Sequence, residues 1–169
     1  MKQKGKKGIL YKFNLFLIIT IILIAIDLIT KKIAIDSLNF AETIETFIPI
    51  IDFLLIYNSG IAFGIFDNEG GLASTILLII TVLISIYLIW LLINETFFLK
   101  KIALSFILGG ALGNIIDRAG DGTVTDFLHL TVFQKSFFIF NLADAFITFG
   151  AILIIYFELV NFFKNEESN

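Results

Sequence analysis

Three aspartates, Asp117, Asp126 and Asp144, stand in the stretches "GNIIDR", "VTDFLHL" and "FNLADAF", each beside a strongly apolar run. Two carboxylates brought close together cannot easily both ionise, so one keeps a proton while the other acts as a base. Such a pair can activate water and protonate a leaving amine. That is aspartic-protease chemistry, and it needs no Cys, Ser, His or metal. The amides of Asn58, Asn114 and Asn141 and the guanidinium of Arg118 could orient a substrate and stabilise developing negative charge. Chemistry alone leaves open which two of the three acids form the pair.

These groups must be held in place by an unusual chain. Of its 169 residues 58% are hydrophobic, 20 are Phe, and the mean hydropathy is +0.97. A soluble domain of this size could not cover that much apolar surface, so the composition predicts an integral membrane protein. The net charge of -3 and the lack of a basic face argue against nucleic-acid binding. With no Cys and only His129, disulfides, thiolate nucleophiles and histidine-rich metal sites are excluded. A single Pro and no Gly/Ser tract leave one domain over residues 1–169. The expected architecture is an all-α membrane bundle of four transmembrane helices, at about 13–33, 72–93, 99–118 and 141–163, with a small extracytoplasmic β-sheet from the first outer loop. Roughly 20 apolar residues suffice to span a bilayer core as a helix.

Lys and Arg set the direction. Five Lys lie in the N-terminal tail, Lys100 and Lys101 join the second and third spans, and Lys164 follows the fourth. The first long loop, about 34–71, has no Lys or Arg; the other long loop covers about 119–140. The positive-inside rule then places both termini in the cytoplasm and both long loops outside. The basic, apolar N-terminus lacks a small-residue cleavage site and reads as a retained signal anchor. "ETFIPIIDFLLIYNSGIAFGIF" is rich in β-branched and aromatic residues and punctuated by Asn58-Ser59-Gly60. It predicts short strands with a turn, lying against the membrane interface. "TVTDF" predicts another short strand after the Asp121-Gly122 turn. In it Asp126 shares a side with Val124 and Leu128, and His129 faces the other way as a surface polar group. No internal repeat is visible.

On this topology Asp27, Lys31, Asn58, Asn114, Asp117, Arg118, Asp126, Asn141 and Asp144 gather near the outer interface, and Glu158 lies near the other end. Ionisable residues at membrane depth are functional candidates by default. Each has a plain structural alternative. Asp27 and Lys31 are spaced i,i+4 and can neutralise one another. Gly109, Gly110 and Gly113 permit close helix approach, and Asn114, Asp117 and Arg118 could simply cap a helix end. Asp117 and Arg118 face different directions, so each needs another partner. Asn141 could cap the fourth helix, with Asp144 favoured by its N-terminal dipole. Those readings explain the residues singly, but not their convergence on one depth.

The set "DLITK", "NSGIAFG", "GNIIDR", "VTDF" and "FNLAD", in this order on four spans, resembles the bacterial lipoprotein signal peptidases, or signal peptidase II. The resemblance runs from about Asp27 to the end of the fourth helix. It implies an aspartyl endopeptidase of the bacterial cytoplasmic (inner) membrane with its site at the outer face. Its substrates would be diacylglyceryl-modified prolipoproteins, cut just before the lipid-modified Cys of a lipobox. The family's catalytic pair corresponds to Asp126 and Asp144. Asp117 and Arg118 correspond to its support and substrate-contact motif. Asp27, Lys31, Asn58, Gly60, Asn114 and Asn141 match its binding residues. The resemblance also implies a β-cradle over the site and globomycin-type inhibitors. No cofactor or metal is expected, and the chain is expected to be a monomer in contact with membrane lipid. Tyr57, Ile61 and the lack of a Pro before "FFIFN" depart from the family's common pattern away from the acids.

Three rivals share parts of this pattern. A proton-coupled transporter would prefer an acid near mid-membrane, whereas these acids cluster at one face. An assembly factor would use the polar cluster only as helix glue. A cation site could be built from Asp126, Asp144 and amide oxygens. A serine protease is disfavoured because the sole His lies outside any helix and no Ser has an evident partner.

Overall fold

The computed structural model describes residues 2–60, 70–133 and 135–166. The second half of "NSGIAFG" and the strand expected there lie outside the described residues. Four helices carry the chain: α1 (Lys2–Ser37), α2 (Gly70–Asn94), α3 (Phe98–Asp121) and α4 (Leu142–Glu166). Among the described residues, three segments, Gly71–Asn94, Phe98–Asp121 and Leu142–Lys164, are long and apolar enough to cross a membrane. Between helices lie strands β1 (Thr43–Ile44), β2 (Ile51–Asn58), β3 (Val124–Val132) and β4 (Lys135–Phe140).

α3 is the central helix, packing against α1, α2 and α4. Burying apolar surface gives little drive inside lipid, so close packing and hydrogen bonds must hold helices together. Phe16, Leu88, Leu92, Leu104 and Leu108 form the apolar part of that packing. Small residues supply the rest. A Cβ on Gly110 would sit 2.3 Å from the Ala143 carbonyl oxygen, and one on Gly113 would sit 2.6 Å from Asp27 Oδ2. These two positions let α4 and the acid of α1 reach the α3 backbone. α3 runs past the expected end at 118 to Asp121, because Gly122 takes the left-handed conformation (φ 86°) and its N–H bonds to the Arg118 carbonyl at 2.9 Å.

The sheet is antiparallel throughout, in the order β1-β2-β3-β4. It therefore draws on both long connections rather than on the first alone. Two short strands are marginal by themselves, and pairing β2 with β3 ties the first connection to the second. Their register sets Ile56 against Asp126 and Asn58 against Val124, next to an irregularity between Phe53 and Ile56. A bulge of this kind re-aims side chains at the end of a ladder. Ala34, Leu55 and Phe127 seat the sheet on α1.

His129 is not a surface group: it is 8% exposed, and its Nε2 lies 2.7 Å from Ser136 Oγ on β4. The pairing of β3 with β4 brings these two residues together, so one Ser does have a His partner. Both lie on the sheet, apart from the carboxylate cluster.

The Gly113→Ala variant should fold with a lower thermal midpoint, with a cost of about 1–3 kcal/mol from overpacking against Asp27. Thermal unfolding in detergent, compared with Gly71→Ala, where an added Cβ meets nothing within 4 Å, checks it.

Candidate active site

One end of the helix bundle, the end of β2 and the start of β3 bring nearly all of the polar residues together. Lys31 is the hub. Its ammonium lies 2.9 Å from Asp27 Oδ2, 3.2 Å from Asp117 Oδ2 and 2.7 Å from Asn114 Oδ1. Lys31 and Asp27 are 2% and 0% exposed, which is tolerable only for a fully paired charge. The other oxygen of Asp27 accepts the Ala143 N–H at the start of α4, at 2.9 Å. Asp117 also accepts the Thr125 N–H at 2.7 Å. Asp117 thus ties α3 to β3 and faces a cation.

Asp126 and Asp144 are held differently. Asp126 Oδ1 accepts the side-chain amide of Asn141 at 2.7 Å, and Oδ2 accepts that of Asn58 at 2.9 Å. Asp144 Oδ1 accepts the amide of Asn114 at 2.8 Å, and Oδ2 accepts the Asn141 backbone N–H at 3.3 Å. All four carboxylate oxygens therefore take one neutral amide N–H. Asn141, fully buried, touches both acids. Its own oxygen accepts the Asp144 N–H at 3.0 Å, so Asn141 and Asp144 cap α4 reciprocally in the manner of a capping box. Among the described residues no cation lies within salt-bridge distance of Asp126 or Asp144.

Each Asn is locked in one orientation. Lys31 can only donate, so Asn114 must turn its oxygen to Lys31 and its NH₂ to Asp144. The Gly60 N–H bonds to Asn58 Oδ1 at 2.7 Å, which turns the NH₂ of Asn58 to Asp126. Gly60 itself has φ 83°, a turn conformation that suits Gly. Arg118 reaches over this turn and donates to the Asn58 carbonyl at 3.3 Å. The residues facing the pair present hydrogens rather than oxygens, which does not suit a cation site made with amide oxygens.

The sequence reading brought together Asp27, Lys31, Asn58, Gly60, Asn114, Asp117, Arg118, Asp126, Asn141 and Asp144, and the structure gathers all ten. It overlooked Thr125 and the Ala143 N–H. Thr125 sits in "VTDF", but only the packing of β3 against α3 shows that its backbone serves Asp117. The Ala143 N–H is a free donor in the first turn of α4 and carries no sequence signal.

Asp126 lies in β3 and is 3% exposed. Burial, with the nearby Asp144 charge, raises its pKa from 3.8 to about 6 despite the two amide donors. The folded chain therefore binds this proton more tightly than the unfolded chain does. The resulting stabilisation is full below pH 3.8 and is lost as pH rises through about 6. Asp126→Asn lacks this dependence. The thermal midpoint of the wild type should fall relative to the variant between about pH 4 and pH 6, and a detergent melting series in matched buffers would measure it. Lys31→Met would leave Asp27 buried without its cation and should cost about 3–5 kcal/mol. Asp27→Asn in the same chain should return part of the lost midpoint.

Residues 19–160 match the family model described as Signal peptidase (SPase) II. The lipoprotein signal peptidase of Acinetobacter baumannii is 36% identical over 158 residues, covering 90% of this chain and 89% of that protein. The lipoprotein signal peptidase of Neisseria meningitidis serogroup C is 36% identical over 146 residues, covering 85% and 88%. Two solved bacterial membrane enzymes, determined by the in meso method, share the fold. The 1.9 Å structure gives a TM-score of 0.76 at 32% identity, covering 86% of this chain and 93% of that one. The 2.3 Å structure gives 0.75 at 31%, covering 88% and 89%. With a match of this extent, the chain belongs to the signal peptidase II family and is a bacterial membrane peptidase.

Proposed function

We propose that this protein is an aspartyl endopeptidase that removes the signal peptide from diacylglyceryl-modified prolipoproteins, cutting before the lipid-modified Cys. The observation that carries the reading is the amide cradle of Asp126 and Asp144, in which four neutral N–H groups hold two carboxylates with no counter-ion at salt-bridge distance among the described residues.

Neutral donors orient a carboxylate without cancelling its charge, so the cheapest state of the pair carries one shared proton. Asp126 and Asp144 hold the attacking water between them. The ionised member takes a proton from the water as its oxygen adds to the scissile carbonyl carbon. The protonated member donates to the carbonyl oxygen as it gains negative charge. In the second step the C–N bond breaks, the Cys nitrogen collects a proton from one acid while a hydroxyl of the tetrahedral intermediate returns its proton to the other, and the new carboxyl terminus leaves with the signal peptide. Asn58, Gly60 and Arg118 border the site on the β2 side and contact the substrate backbone. Asp27, Lys31, Asn114, Asp117 and Asn141 position the reacting groups.

The whole chain is then one integral membrane peptidase domain of four spans. Both termini lie in the cytoplasm, and the site faces outward from the cytoplasmic membrane. The diacylglyceryl chains stay in lipid between helices, which fixes the Cys at the depth of the acids. The enzyme works as a monomer without a cofactor, and globomycin-type inhibitors occupy the same site.

Cleavage of a diacylglyceryl prolipoprotein, followed by gel shift, tests this. Asp126→Asn and Asp144→Asn should each fold and lose about 10³-fold or more in kcat. Asp117→Asn should keep measurable turnover with a lower melting point, since its partners are Lys31 and the Thr125 N–H. Wild-type turnover by Asp126→Asn, or no cleavage of several lipoproteins by the wild type, would refute the assignment.

A further inference from the structure

β4 is an outer strand of the sheet, and among the described residues it packs appreciably on β3 alone. Its first four residues are exposed, Phe137 by 59% and Phe138 by 55%. An open strand edge is a row of unpaired N–H and C=O groups, which proteins blunt with charge, with bulges or with a covering element. β4 is blunted only at the end far from the carboxylates. Lys135 supplies its single charge there. The register sets Ser136 against Thr131 and Phe138 against Leu130, so Phe137 is an extra residue, a bulge that bends the edge. Phe138, Ile139 and Phe140 pair regularly with Leu130, His129 and Leu128 and carry neither device.

The open stretch is also the one that reaches the acids. Phe140 leads directly into Asn141, whose amide holds Asp126 at 2.7 Å, and Asp144 follows in the first turn of α4. On β3, Asp126 stands two residues before Leu128, the partner of Phe140. Two residues of strand span about 7 Å, so the edge ends about that far from Asp126. The rings of Phe138 and Phe140 pack on one another, with centroids 5.4 Å apart. What this stretch offers a partner is therefore a flat aromatic face and main-chain groups, with no charged side chain.

An extended peptide can complete such an edge, because its main chain supplies the missing hydrogen bonds whatever its side chains are. We infer that the substrate segment just after the lipid-modified Cys adds to Phe138–Phe140 as a fifth, antiparallel strand. This rests on the peptidase reading above and extends it to the residues beyond the cut bond. Chain direction supports the pairing. β4 runs toward the acids, whereas a chain whose Cys sits at the acids runs away from them. The two are then antiparallel, which is the more stable arrangement. Main-chain binding of this kind acts equally on ground and transition states, so it is read in KM rather than in kcat.

The test uses the full-length enzyme in lipid and one diacylglyceryl prolipoprotein, with Pro placed singly at each residue from the third to the eighth after the Cys. Pro has no N–H, and in an antiparallel pair only alternate residues turn their N–H and C=O to a given neighbour. KM should rise about 3–10-fold for Pro at positions of one parity. Pro at the intervening positions, and Ala at all of them, should leave it unchanged. Disulfide trapping then reads the direction. The chain has no Cys, so Phe138→Cys and Phe140→Cys can each be offered substrates with one free Cys, in an Asp126→Asn background that keeps the substrate whole. Phe138→Cys should capture a residue two positions further from the lipid-modified Cys than Phe140→Cys does. Equal KM across the Pro series, in an enzyme that cuts the parent substrate, would overturn the proposal while leaving the peptidase reading intact. So would the reverse order of capture, or Phe138→Cys joining to a second copy of the chain in place of substrate. A wild type that does not cut the parent substrate would remove the peptidase reading and this proposal with it.

Discussion

A single ammonium in an apolar bundle governs the geometry of the site. Lys31 has donors and no acceptor, so every group around it must present oxygen. Asp27 and Asp117 supply charge, and Asn114 supplies its carbonyl. The last of these matters most for Asp144. With its oxygen committed, Asn114 has only its NH₂ left for Asp144. A charge on α1 thereby decides what α3 shows to α4. Through Asp117 the same ammonium reaches the backbone of β3, one residue before Asp126. Helix and sheet are joined at the position where two acids must meet.

The acids of the cluster sort by the kind of partner they have. Asp27 and Asp117 face a cation, while Asp126 and Asp144 face neutral amides. A carboxylate beside a cation in a dry site has a partner for its charge, and it becomes a fastener. One held only by neutral donors is placed just as well but keeps its desolvation cost, so a proton can be gained or lost there. Asp126, raised to about 6, shows that balance. The network therefore separates acids fastened to a cation from acids held by neutral amides, although all four share one neighbourhood.

Much of this was legible in the chain. The apolar runs gave the helices, since a period of twenty apolar residues has few other uses, and "GGALGNIIDR" gave the close contact of α3 with its neighbours. Asp27 and Lys31 were readable as a pair because their spacing is local. The three amides were readable as candidates, but their roles were not. Which end of an Asn faces an acid depends on the donor that occupies its oxygen, and those donors lie on other elements, as with Lys31 for Asn114. The sheet was half legible for a similar reason. Its strands show in composition, but the pairing of β2 with β3 joins segments separated by two helices. His129 misled because strand alternation assigns a side but not what covers it, and β4 with Ser136 covers it.

The fold also explains why the acids sit at a helix terminus and on a strand rather than in mid-span. In the middle of a helix every backbone N–H is already bonded, so a carboxylate there must find side-chain donors in hydrocarbon. The first turn of α4 offers free N–H groups, which Asp27 and Asp144 use through Ala143 and Asn141. β3 brings Asp126 from outside the helices, so that acid needs no place in a span. Placing one acid on a helix start and the other near a strand start puts both where backbone donors are available. On the function proposed above, a peptide whose cleavage point is held at the membrane surface by its own lipid would meet the pair there.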